Sequence, residues 1–174
     1  WVLVFDKLKH IEQIIFDNFT KMKKLQFKTD IKAPVAKVFG TMLGLDNKAT
    51  YQAWTAEFNP TSTFEGTWEK GTKILFIGTD PENGEKGGMV SEIAENIPDK
   101  FVSIHHIGIL KGDTEITEGE EIQQWAGGRE NYSFEENNGI TSVTVDLDTM
   151  EDFVDYFNQA WPKALIRLKA MLES

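Results

Sequence analysis

The sequence predicts an α+β fold: a curved antiparallel sheet of about six or seven strands wrapped on a long C-terminal helix, with two short helices after the first strand. Three observations carry this reading. Residues 141–147 alternate as a half-buried strand does and lead into a stretch whose apolar residues recur every three or four positions. From Phe64 to Leu147 the chain is a succession of strand-like runs punctuated by turn residues. Before that series stands one further alternating run followed by two short helical patterns. A sheet of this size curls, and the last helix is the element placed to close its concave face.

The elements follow in order. Leu25, Phe27, Thr29 and Ile31 alternate with Gln26, Lys28 and Asp30, so residues 24–31 read as a strand. Ala33-Pro34 opens a helix with proline at an early position, where its missing N–H costs little. Val35, Val38, Phe39 and Met42 form the buried stripe of that helix, and Gly44 ends it. A second short helix holds Ala49 to Trp54, and Asn59-Pro60 breaks the chain. Phe64, Gly66 and Trp68 share one strand face, Glu69-Lys70-Gly71 is a turn, and residues 72–78 form the next strand. The run Asp80-Pro81-Glu82-Asn83-Gly84 is a turn, and strands from Met89 to Ile97 and from Phe101 to Leu110 flank Pro98-Asp99. Residues 111–128 are acidic and glycine-bearing and read as a mobile loop or a short edge strand. Arg129 to Glu136 and Ile140 to Leu147 form a hairpin across Asn138-Gly139, a pair suited to a type I′ turn.

In the final helix Phe153, Val154, Phe157, Trp161, Ala164, Leu165, Leu168 and Leu172 fall on one face. Asp148, with Glu151 three residues on, reads as the N-cap of an arrangement close to a capping box. Pro162 removes one helical hydrogen bond and predicts a bend near residues 158–161. At the other end of the chain, Phe5, Leu8, Ile11, Ile15, Phe16 and Phe19 share a helical face. Residues 1–21 therefore read as an amphipathic extension ahead of a single domain at 22–174. The extension is either an accidental upstream addition to a natural start at Met22 or a docked helix or dimer contact.

Composition narrows the function. The 174 residues carry a formal net charge of −10, with 40% hydrophobic and 11% aromatic residues. A folded globule is expected, and the acidic balance argues against nucleic acid or an anionic membrane as partner. Asp6, Lys7 and Lys9 interrupt the apolar start too soon for a membrane span. The absence of cysteine removes disulfides, thiolate metal sites and cysteine nucleophiles, and is consistent with a cytoplasmic location.

Several motifs carry a resemblance. Ile31-Lys32-Ala33-Pro34-Val35-Ala36-Lys37-Val38-Phe39 resembles the opening of the family named after the activator of Hsp90 ATPase, within the START-like, Bet v 1-like helix-grip superfamily. Trp54 stands where that family often has a tryptophan after its second helix. Gly88 to Ile93 resembles its "G-x-V-x-E-I" strand, and Trp161 with Leu165 and Leu168 its final "G-W-x3-L-x2-L" helix, with Ala160 in place of glycine. The match covers roughly residues 24–173 and implies the helix-grip fold. The superfamily includes lipid and hormone carriers, polyketide cyclases, self-resistance proteins and co-chaperone modules, so the resemblance does not choose among them.

The chemistry-bearing motifs are sparse. His105 and His106 are neighbours on a strand and point to opposite faces, so they do not chelate one ion together without a bulge. No nucleophile elbow, phosphate-binding loop, zinc-protease motif or calcium loop is present, and neither a metal nor a cofactor is expected. The aromatic residues are the stronger signal. Trp68, Phe76, His106, Tyr132, Phe134, Phe153, Phe157 and Trp161 are the candidate lining of a ligand cavity between sheet and final helix, and a packed core is the plain alternative. Three functions follow: non-catalytic binding of a small apolar or amphipathic molecule; a protein–protein module such as a chaperone regulator or homodimer; and a cyclase- or hydrolase-like enzyme using His105 or His106, Tyr132 or a buried carboxylate. The lack of a catalytic motif puts the enzyme last.

Overall fold

A computed structural model describes residues 22–123 and 126–174. β1 (Met22–Ile31) is followed by helices α1 (Val35–Leu43) and α2 (Lys48–Thr55). Then come β2 (Thr63–Gly66), β3 (Lys73–Thr79), β4 (Lys86–Ile97), β5 (Phe101–Lys111) and the short β6 (Thr114–Ile116). One helical turn, α3 (Glu120–Gln123), precedes the hairpin of β7 (Arg129–Asn137) and β8 (Ile140–Met150). A 3-10 turn (Glu151–Phe153) leads into α4 (Val154–Glu173). The extension expected at residues 1–21 lies outside the described residues.

All strands pair antiparallel in one sheet, in the order β1-β8-β7-β5-β4-β3-β2, with β6 paired to β5 alone. The acidic segment thus supplies a short edge strand. The hairpin turn has Asn138 at φ 53° and Gly139 at φ 76°, the left-handed pair its sequence calls for. Alternation along β8 buries Thr141, Val143, Val145, Leu147 and Thr149, which stand opposite Ile31, Thr29, Phe27, Leu25 and Lys23 of β1.

Helix ends explain how the two short helices are set. Pro34 precedes α1 and offers no side-chain cap; the Val35 N–H instead donates to Glu136 Oε2 of β7 at 2.8 Å. Gly44, at φ 67°, closes α1 in the left-handed conformation, with the Leu45 N–H bonding back to Gly40 O at 3.0 Å. Asn47 caps α2 by accepting from the Ala49 N–H at 3.0 Å. The buried Trp54 indole N–H donates to Met42 O at 2.9 Å and locks the two helices together.

Two expectations about the last helix are corrected. Asp148 does not cap it. β8 continues to Met150 because it stays paired with β1 as far as Met22↔Met150. The Asp148 carboxylate accepts from Lys24 Nζ at 2.8 Å and from the Arg129 N–H at 3.1 Å, and Glu151 pairs with Lys23. Phe153, expected on the buried stripe, sits in the 3-10 turn and is 51% exposed. The buried face of α4 is Ala160, Trp161, Ala164, Leu165, Leu168 and Leu172, and the helix runs on through Pro162. The C-terminal half of α4 belongs to one core cluster with Ile31, Val38, Met42, Trp54, Ile93, Val102 and Ile104. Burying these side chains is the main stabilising term, about 1.5–3 kcal/mol for each large aliphatic or aromatic side chain.

A cavity under the first turns of the C-terminal helix

The packing of α4 changes along its length. From Trp161 onward its inward residues are buried, but Phe157 is only half-buried, and Phe153 just ahead of the helix is exposed. Under these first turns the sheet and helix enclose a cavity of about 850 Å³. No α4 residue beyond Trp161 lines it. Its exposed lining residues include Asp80 and Glu85 of the β3–β4 turn, Gly112 between β5 and β6, and Phe153 and Tyr156, and the mouth lies on their side. Part of the wall is backbone: Gly78, Gly87, Gly88, Gly112 and Gly128 line the space and contribute no side chains to fill it. At Gly88 (φ 154°) a β-carbon would run into the carbonyl oxygen of Phe76, so the close pairing of β3 and β4 there requires glycine.

The inner wall is aromatic. Trp161, 2% exposed, stacks on Phe27 (centroids 6.0 Å apart, 18° between planes) and meets Phe58 edge-on at 4.9 Å. Trp54 lies 5.8 Å and Tyr132 6.1 Å from the same ring. Its indole N–H has no acceptor among the described residues.

One polar cluster interrupts this wall. The Cα pairing of β4 and β5 passes from Val90↔Gly108 to Ser91↔His106, leaving Ile107 as a bulge residue. β4 turns Met89, Ser91 and Ile93 inward by plain alternation, and the bulge in β5 brings His106 to that same face, where Ser91 Oγ lies 2.8 Å from His106 Nδ1. On the other side of the imidazole, Nε2 is 3.8 Å from Glu130 Oε2. Alternation along β7 puts Glu130 and Tyr132 on one face, and the Tyr132 hydroxyl donates to Glu130 Oε1. Burial, then the Glu130 charge, holds the Tyr132 hydroxyl far above the usual phenol range. The same two causes, in the same order, raise Tyr51 across the cavity. Both phenols remain neutral hydrogen-bond donors at any physiological pH.

The structure thus sorts the residues expected at the cavity. Phe76, His106, Tyr132, Phe153, Phe157 and Trp161 reach its wall, whereas Trp68 and Phe134 do not. Trp68 packs among Phe64 (5.4 Å), Phe76 (5.7 Å) and Tyr51 (6.2 Å), and Phe134 packs edge-on against Phe39 at 5.2 Å. Both are core residues, because inward-facing side chains at the closed end of the sheet meet α1 and α2 before they meet the cavity. Of the two histidines, His106 is the inward one and His105 is half-buried on the opposite face. His105 is pushed below the ordinary imidazole range by burial first and then by Arg129. Among the described residues no cluster of three or more histidine or carboxylate groups is placed to hold a metal.

Three participants were not anticipated. Glu130 carried a readable signal, since it stands two residues before Tyr132 in an alternating strand. Ser91 alternates with Met89 and Ile93, but its meeting with His106 depends on a bulge in β5 that leaves no mark in the residue types. Tyr51, on α2, enters through the packing of that helix over β2 and β3.

Comparison with known proteins gives structural matches without sequence matches. The Aha1 dimer from Colwellia psychrerythraea, solved in solution, matches with a TM-score of 0.61 over 87% of this chain and 96% of that one, at 19% identity. The Mll3558 protein from Rhizobium loti matches at 0.63, over 87% and 97% of the two chains and 12% identity. Protein Ms6760 from Mycobacterium smegmatis matches at 0.61, over 86% and 90%, with 17% identity. The fold is the helix-grip fold. No family model matches the sequence, and no curated protein matches it either. At these identities the likeness is one of fold, which agrees with the architecture that the sequence motifs implied. No helix among the described residues of this helix-grip chain is long and apolar enough to cross a membrane.

Proposed function

We propose that the protein binds a small, largely apolar molecule in the cavity beneath the first turns of α4, without transforming it. The observation that carries this reading is the change of packing along α4. The helix is packed to the sheet from Trp161 onward, yet it stands off over Phe157 and leaves about 850 Å³ walled mainly by aromatic and aliphatic side chains. That volume lies within the range of about 300–1,000 Å³ common for small-molecule sites, as does the pairing of an apolar wall with a few polar groups.

A neutral naphthylamine dye, fluorescent only in apolar surroundings, tests it. The folded protein should bind the dye saturably, with about one site per chain, and Phe157→Glu should weaken binding by placing a charge on the wall. A folded protein that gives no saturable signal removes the reading.

The second reading is a protein–protein module. It is supported by the match to a protein solved as a dimer and by the exposure of Phe153 and Tyr156 at the cavity mouth. Sedimentation over a range of concentrations tests it: a monomer throughout would count against self-association through this face.

A further inference from the structure

We infer that the Glu130–His106 pair selects, among apolar molecules, those that carry a hydroxyl group, an inference that rests on the small-molecule reading above. Glu130 has two carboxylate oxygens with different surroundings. Oε1 accepts the Tyr132 hydroxyl. Oε2 lies 3.8 Å from His106 Nε2, which is beyond hydrogen-bonding distance. Glu130, His106 and Tyr132 all line the cavity. The Glu130 side chain keeps 18% of its surface exposed, so a ligand that fills the cavity displaces water from Oε2 and must supply a donor in its place.

The partner's chemistry follows from the tautomer of His106. Ser91 Oγ sits 2.8 Å from Nδ1 and can donate to it, which leaves the proton on Nε2. The alternative tautomer would aim the Nε2 lone pair at the Glu130 carboxylate, so electrostatics favour the Nε2–H form. The cavity therefore presents a carboxylate acceptor and an imidazole N–H donor side by side. One atom that satisfies both must donate and accept at once. A hydroxyl oxygen about 2.8 Å from each does so. A protonated amine has no lone pair for the Nε2–H, and a carbonyl or ether has no proton for Oε2. The aromatic rings of Trp161 and Phe157 lie along the same cavity and would take the apolar body attached to that hydroxyl.

The test compares β-naphthol with its methyl ether, which has the same body but no proton to donate, by calorimetric titration at neutral pH. The naphthol is expected to bind about 10-fold to 100-fold more tightly, the range for a hydrogen bond to a charged acceptor. Glu130→Gln keeps the side-chain shape and an acceptor for Tyr132 but replaces the second oxygen by an amide donor. In that variant the preference should vanish, and an unchanged circular dichroism spectrum and thermal midpoint show that the fold is intact; a preference that persists in the folded variant would overturn the inference. Equal binding of the two compounds to the unaltered protein would overturn the inference and leave the small-molecule reading standing. Binding of neither would overturn both.

Discussion

The ring of Trp161 lies stacked on that of Phe27, with centroids 6.0 Å apart and 18° between the planes. One residue belongs to the last helix and the other to the first strand, so this contact closes the fold between its two ends. It also marks the boundary within α4 between the packed core and the cavity.

Truncation at that boundary should be costly. Trp161 is buried against Phe27, Trp54, Phe58 and Tyr132 at once. Trp161→Ala is expected to lower stability by about 3–5 kcal/mol, through lost burial and the void that remains. Denaturant unfolding of both proteins measures it, and a loss below about 1 kcal/mol would mean that the ring already faces open space.

Gly88→Ala should destabilise although it adds only one methyl group. The added carbon meets the Phe76 carbonyl oxygen, and the backbone there is one that side chains rarely adopt. A cost on the order of 1–3 kcal/mol or more is expected, seen as a lower thermal midpoint. Gly40→Ala serves as a comparison, since a β-carbon there meets nothing and the backbone is helical.

Alkaline pH should unfold the protein in step with tyrosine ionisation. Tyr51, Tyr132 and Tyr156, the three tyrosines of the chain, all have pKa values raised by burial. A raised folded-state value means that the native protein holds its phenolic protons after the unfolded chain has released them. The stabilisation is therefore fully present below about pH 10, the ordinary phenol value, and declines as pH rises beyond it. Tyrosinate absorbance and circular dichroism should change together in that range. Three phenols titrating near pH 10 in a protein that remains folded would contradict the buried placement.

A chain beginning at Met22 is expected to fold cooperatively, because the eight described strands and the helix that closes their sheet fall within residues 22–174. Thermal unfolding followed by circular dichroism is the check; a broad transition without a plateau would show that residues 1–21 are needed.

Much of this architecture was legible because it follows from spacing. The alternation of β8, the Asn138-Gly139 turn and the stripe from Trp161 to Leu172 each express one local rule. The end of β8 was harder to read. Asp148 has the residue type of a helix cap, but pairing with Lys24 and the rest of β1 outweighs that local preference and carries the strand on to Met150. The cavity was legible only in outline. Sequence separates inward from outward residues, but not an inward residue that touches α1, as Phe134 does, from one that faces open space, as Phe157 does. The Ser91–His106 contact depends on one extra residue in β5, and no local preference specifies where such a residue falls.

The pairing of β1 with β8 has a kinetic consequence. Lys24 and Asp148, which join the two strands side chain to side chain, are 124 residues apart in the chain. During synthesis β1 emerges before the other described strands and β8, its partner among them, emerges last. At about 5–20 residues per second, its apolar residues Leu25, Phe27 and Ile31 wait on the order of ten seconds for a place in the sheet. Such long-range closure predicts slow folding for a protein of this size. Lys23, Lys24 and Lys28, spread along this waiting strand, oppose its pairing with other chains in that interval.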